Sequence, residues 1–227
     1  MRYARCLAAL LAVLAAVPAA RGAPITVALA GPGGDSGWNV TYDGAAVDVT
    51  VDLVRLSSGF VVLEVAKDFT RPPDPETGAY PPLDLVFAQR LGDAATAARI
   101  IIADESVTNL TGLDWTDFHW EVLGEDAWLD VPASGRFGVQ PPPHFQAQAW
   151  AFLDGDADRA SALAVFDGLV APRTSYFPGT DDSDLTIRAD LSGSDPAGFT
   201  LREYPTPEPA TLALVGLGAL AMAARRR

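Results

Sequence analysis

Residues Val47 to Leu53 read Val-Asp-Val-Thr-Val-Asp-Leu, and this strict alternation decides the fold class. Side chains on an extended chain point to opposite faces in turn, so Val47, Val49, Val51 and Leu53 turn to a core while Asp48, Thr50 and Asp52 meet water. Working outward, similar strand signals occur at residues 60–67, 83–89, 118–123, 185–191 and 199–202, separated by Gly, Pro, Asp and Ser clusters. Residues 99–109 open on Ile100, Ile101 and Ile102, a β-branched run expected of a central strand covered on both faces. Many short strands with turn signals between them predict an all-β domain, an antiparallel β-sandwich. One helix is expected over residues 158–168, where Leu163, Phe166 and Leu169 recur at helical spacing after Asp158.

Residues 107–123, VTNLTGLDWTDFHWEVL, read as strand, turn and strand. Asn109 and Gly112 make the turn, Phe118, Trp120 and Val122 face inward, and Trp115 caps the edge of that core. Asp117, His119 and Glu121 then share the opposite face. The Pro-rich stretches at residues 71–82 and 140–144 read as surface loops, and Gly31, Gly33, Gly34 and Gly37 as a flexible turn. Trp38 and Trp128 are the tryptophans expected to be exposed.

The two ends differ in kind from the middle. Arg2 and Arg5, an apolar run from Leu7 to Val17 and small residues around Ala19 to Ala23 have the three-part pattern of a secretory signal. Cleavage is expected after Gly22, with Ala20 the alternative. Cys6, the only cysteine, lies inside this segment, so the mature chain has no thiol and relies on an ordinary core. At the other end Pro207, Glu208 and Pro209 precede the apolar run Ala210 to Ala224, and Arg225, Arg226 and Arg227 finish the chain. As a helix the run rises about 22 Å, short of the roughly 30 Å hydrocarbon core, and the terminal arginines hold its end on the cytoplasmic side.

This C-terminal arrangement resembles the PEP-CTERM sorting signal of Gram-negative bacteria over residues 205–227. The resemblance implies recognition of Pro207, Glu208, Pro209 and the cluster Arg225, Arg226 and Arg227 by an exosortase-type membrane protease, which removes the tail. It also implies transient insertion of the C-terminal helix in the inner membrane. Residues 107–123 are similar to a segment of other exported proteins bearing such tails, which adds no activity. The expected division is a signal peptide at 1–22, an exported β-sandwich domain at 23–203 and a sorting tail at 204–227.

The chain holds 16 Lys and Arg against 29 Asp and Glu, a net charge of −13. Without the two terminal segments 10 basic and 28 acidic residues remain, about −18. Such a surface repels phosphate backbones and anionic headgroups, so nucleic acid is not an expected partner, while it leaves divalent cations and neutral polymers open as partners.

Candidate chemistry is sparse. His119 with Asp117 or Glu121, alternate residues about 7 Å apart on a strand, is the best metal-ligand grouping, weakened because the only other histidine is His144. Asp154, Asp156 and Asp158 alternate as in the opening of a calcium loop. Arg159 stands where an EF-hand has glycine, however, and Val165 where it has glutamate. A looser calcium site would draw on Asp181, Asp182 and Asp184; otherwise these are Asp-rich turns bonding their own backbone. No Gly-x-Ser-x-Gly elbow, mature cysteine or HExxH helix is present. A glycosidase carboxylate pair is set by the fold, so none is chosen among 28 acids. The expectation is therefore a protein that is not an enzyme and has no cofactor, and the resemblance to the sorting family implies that it is sorted to the envelope or matrix and associated with exopolysaccharide. The alternatives are a calcium-dependent carbohydrate-binding module and, third, a secreted hydrolase.

Overall fold

The computed structural model describes residues 23–207 apart from 45, 46, 58, 180–182 and 194. The signal segment, the tail from Glu208 onward, Asp181 and Asp182 therefore lie outside the described residues. The chain forms β1 (Ile25–Gly31), β2 (Gly34–Tyr42), β3 (Val47–Ser57), β4 (Phe60–Phe69), β5 (Leu83–Gln89), β6 (Arg99–Asn109), β7 (Trp115–Leu123) and β8 (Ala127–Asp130). A single helical turn α1 (Val131–Ser134) follows, then β9 (Ala147–Leu153), β10 (Asp156–Phe166), β11 (Ser175–Tyr176), β12 (Leu185–Ala189) and β13 (Gly198–Pro207).

The all-β class is as expected. The strands do not separate into the two sheets of a sandwich; they are hydrogen-bonded in one continuous path, β1-β2-β5-β13-β7-β10-β8-β12-β6-β4-β3, a curled open sheet. Every pairing in it is antiparallel except β4 with β6. The curl brings the edge strands β1 and β3 together through side chains: a Cβ on Gly31 would lie 3.1 Å from Leu53 Cδ2. One concave interior results, filled by Trp38, Leu63, Phe69, Phe87, Trp115, Phe118, Trp120 and Leu201 among others. Within β3 the inward set is the predicted one, and in β4 it is Val61, Leu63, Val65, Lys67 and Phe69.

Several expectations need correction. Residues 158–168 belong to β10 and its exit, not to a helix: Leu163 and Val165 point inward at period two while Phe166 faces out. The three-residue spacing of Leu163 and Phe166 imitated a helix; pairing to β7 on one side and β9 on the other overrode it. Strand β6 is central, but only one of its faces is fully buried, the other being half-covered. Trp38 is not exposed; its ring is enclosed and its Nε1 donates to the Ala97 carbonyl at 2.8 Å. Trp115 is a fully buried member of the core, not a cap at its edge. Trp128 is half-buried, with the Arg159 guanidinium 4.1 Å over its ring. Of the N-terminal glycines, Gly31 and Gly34 close the β1–β2 hairpin, while Gly37 lies within β2 at φ +81°, with Thr96 filling the space a Cβ would need.

Strands β6 and β7 follow one another in sequence without pairing. The turn between them carries the chain from one wall of the curl to the other. Asn109 holds it, its amide donating to the carbonyls of Leu113 and Val170 at 2.7 and 2.8 Å.

Candidate functional site

Three ionisable side chains without solvent exposure meet in the interior. Lys67 on β4 and Glu105 on β6 project from neighbouring strands of one wall, where Val65 is in register with Glu105 and Lys67 with Val107. Glu203 on β13 and Trp120 on β7, also in register, project from the opposite wall. Lys67 Nζ donates to Glu105 Oε1 and to Glu203 Oε2, and Trp120 Nε1 donates to Glu105 Oε1 at 3.2 Å. All three charged side chains have zero solvent exposure. Phe118 and Phe137 pack on Trp120 at ring distances of 4.8 and 5.1 Å, and Phe69 packs on Phe118 at 5.7 Å. Among the described residues one oxygen of each carboxyl, Glu105 Oε2 and Glu203 Oε1, has no donor.

Charge is expensive in such a place unless it is paired. Burial pushes the Glu203 carboxyl up to about 8, against the pull of Lys67 and with the further push of Glu105. Burial works against the Lys67 ammonium too, but the two acidic neighbours outweigh it and hold its proton above the usual lysine range. At neutral pH Glu203 thus keeps its proton. Nearby, Tyr176 donates its hydroxyl to the Gly138 carbonyl; burial first, then the charge of Glu105, raises it well above an ordinary phenol.

While the three groups are separate side chains, the sign of the pH dependence follows. The folded chain holds a proton on Glu203 that the unfolded chain releases near 4.5. The contribution is complete below that value and is lost as pH rises to about 8. With the side chains separate, urea denaturation across this window would show stability falling with a slope of up to about 1.4 kcal/mol per pH unit from this group, and Glu203→Gln would flatten it.

Part of the cluster was readable in the sequence. Lys67 continues the inward series Val61, Leu63, Val65, and Glu203 continues Phe199, Leu201, so two charged residues on core parity were a usable signal. Glu105 was not readable. It has the wrong parity relative to Ile100 and Ile102, and only a β-bulge at Ala103, where the β4–β6 register shifts, turns it inward.

The residues singled out from sequence lie elsewhere and apart. Asp154 and Gly155 form the two-residue turn of the β9–β10 hairpin, both at positive φ, 51° and 75°. Asp156 accepts from the Asp158 backbone N–H at 2.9 Å, and all three aspartates are exposed. Asp117, His119 and Glu121 do line one outer face of β7, and β13 supplies their partners. His119 stacks on Tyr204 at 4.8 Å, Tyr204 donates to Glu121 at 2.5 Å, and Thr206 donates to Asp117. Among the described residues no group of three or more His, Cys, Asp or Glu is placed to hold a metal.

Strand β13 runs on through Pro207, past residue 203 where the sequence reading ended the domain. Its partner β5 accompanies it only as far as Glu203, whereas β7 accompanies it to the end, Pro207 standing opposite Trp115. Pro205 and Pro207, which lack an N–H, therefore sit where one side of the strand is unpaired. Among the described residues no helix is long and apolar enough to cross a membrane.

Residues 205–227 match the family model of the PEP-CTERM protein-sorting motif. No curated protein and no solved structure matches the chain. The motif marks an exported protein that is sorted by an exosortase, a membrane-associated enzyme. Its first three residues are the last three of β13.

Proposed function

We propose that this protein is a non-catalytic structural component of the cell envelope or extracellular matrix, a folded β-domain delivered by its tail and lodged among exopolysaccharide. The observation that carries the reading is the continuity of β13 with the sorting motif: Pro205, Thr206 and Pro207 belong to both. A tail joined without a linker to a strand in the middle of the sheet suits a domain held by its C-terminal strand after processing. The acidic surface, about −18 over the exported part, suits a hydrated neutral polymer better than an anionic one. The apolar run before the terminal arginines would hold the precursor in the inner membrane until the exosortase acts.

The test is the intact mass of the protein recovered from the envelope and the medium of its host. The expected species lacks the first 22 residues or so and ends near Pro207. A dominant species retaining residues 210–227 would replace processing with permanent anchoring. Cosedimentation of the processed protein with the host's own exopolysaccharide is expected, and its absence would remove that partner from the proposal.

A further inference from the structure

A primary amine enclosed between two carboxyls, one of them a neutral acid, is an arrangement able to form an amide. From this geometry we infer that Lys67 Nζ and Glu203 Cδ become joined by an intramolecular isopeptide bond, with Glu105 as the acid–base group. The roles follow from the contacts. Glu105 accepts from both Lys67 and Trp120, and its contact with Nζ places it to take a proton from the ammonium. Glu203 lacks the Trp120 donor and retains its proton, so its carbonyl carbon carries no anionic charge to repel a nucleophile.

The step balances without a co-reactant. Lys67 gives a proton to Glu105; the free amine attacks Glu203 Cδ; the new C–N bond forms as the C–OH bond breaks; and the hydroxyl leaves as water. Of the three ammonium protons, one stays on the amide nitrogen, one leaves in the water and one remains on Glu105. The Glu203 proton leaves in the same water. The product is uncharged throughout, which a site with zero solvent exposure favours over an ion pair. Positioning by two rigid walls supplies the effective concentration that such a condensation lacks in solution.

The bond would tie β13 to β4 across the interior, closing 136 residues of chain in a mature protein that has no cysteine. It lands where β13 loses its β5 partner. Tension on the C-terminal end could then peel residues 204–207 and stop at Glu203. This inference does not depend on the identity of the matrix partner.

The experiment is mass spectrometry of the full chain as recovered from its host, denatured and digested with trypsin. The expected result is an intact mass one water below that of the processed sequence. Lys67 should be uncut, and the peptide of residues 56–90 should be branched to the peptide beginning at Glu203. The variant Glu105→Gln keeps the shape of the site without its base and should give the unbranched mass with Lys67 cleaved. Wild-type protein at full mass with Lys67 freely cleaved would overturn the inference. A branch to residues 100–136 would move the acyl donor to Glu105, and equally complete linkage in Glu105→Gln would remove Glu105 from the chemistry; each overturns the roles assigned here. Amide formation also removes Glu203 as a titrating group, so a wild-type stability profile with the slope described above would count against it.

Discussion

Lys67→Met should lower the unfolding free energy by about 3–5 kcal/mol, the cost of leaving buried carboxyls without their cation. Lys67 donates to Glu203 Oε2, and with Trp120 it donates to Glu105 Oε1. The methionine replaces the volume and none of the hydrogen bonds, so Glu105 and Glu203 face each other in a site without solvent exposure. Urea denaturation at neutral pH measures the loss. The triple variant Lys67→Met, Glu105→Leu, Glu203→Leu separates two origins of the effect. A purely ionic cluster predicts little change or a gain, because apolar side chains of similar volume often replace buried ion groups without loss. A covalent link predicts a fall of about 4–5 kcal/mol, the order expected of a disulfide closing a loop of more than 100 residues.

Trp115→Ala should cost about 3–5 kcal/mol, as removal of a fully buried Trp typically does. The indole has no solvent exposure and packs against Phe69 at 5.5 Å, Phe118 at 6.0 Å and Tyr80 at 6.3 Å. Its Nε1 donates to Thr111 Oγ1 at 3.3 Å, which in turn donates to Asn109 Oδ1 at 2.8 Å. Truncation therefore opens a cavity and loosens the turn that carries the chain between walls. Trp115→Phe should cost distinctly less, since it keeps most of the ring contacts and loses one hydrogen bond. Chemical denaturation of the two variants side by side measures this. A second readout is local: Trp115 stands opposite Pro207, so amide exchange at Thr206 should quicken in Trp115→Ala.

The two ends of the protein and the class of its middle were legible from residues alone, because both are written in short-range order. A Pro-Glu-Pro triplet, an apolar run and terminal arginines are contiguous, and the match over residues 205–227 needs no folded context. Alternation is likewise a property of one strand. Val47 to Leu53 sorted its faces as read, and Leu83–Gln89 emerged with the boundaries its pattern suggested. Phe118, Trp120 and Val122 turned inward together for the same reason.

Where a signal depended on neighbours distant in sequence, local reading failed. The Ala-rich stretch of β10 is a strand because β7 and β9 flank it, and the glycines around Trp38 do not expose it because Ala97 lies over its nitrogen. Strands β1, β2, β8 and β9 carry too little alternation of their own and are held by their partners. The buried cluster is the clearest case. The alternation of β4 and β13 carries a signal for Lys67 and Glu203 on inward faces that was not read, and only the curl of the sheet sets those faces opposite each other, while only the bulge at Ala103 turns Glu105 to join them. Face parity is fixed by the period of a single strand, whereas the meeting of three side chains from three strands is decided by register and curvature, which no local stretch of residues specifies.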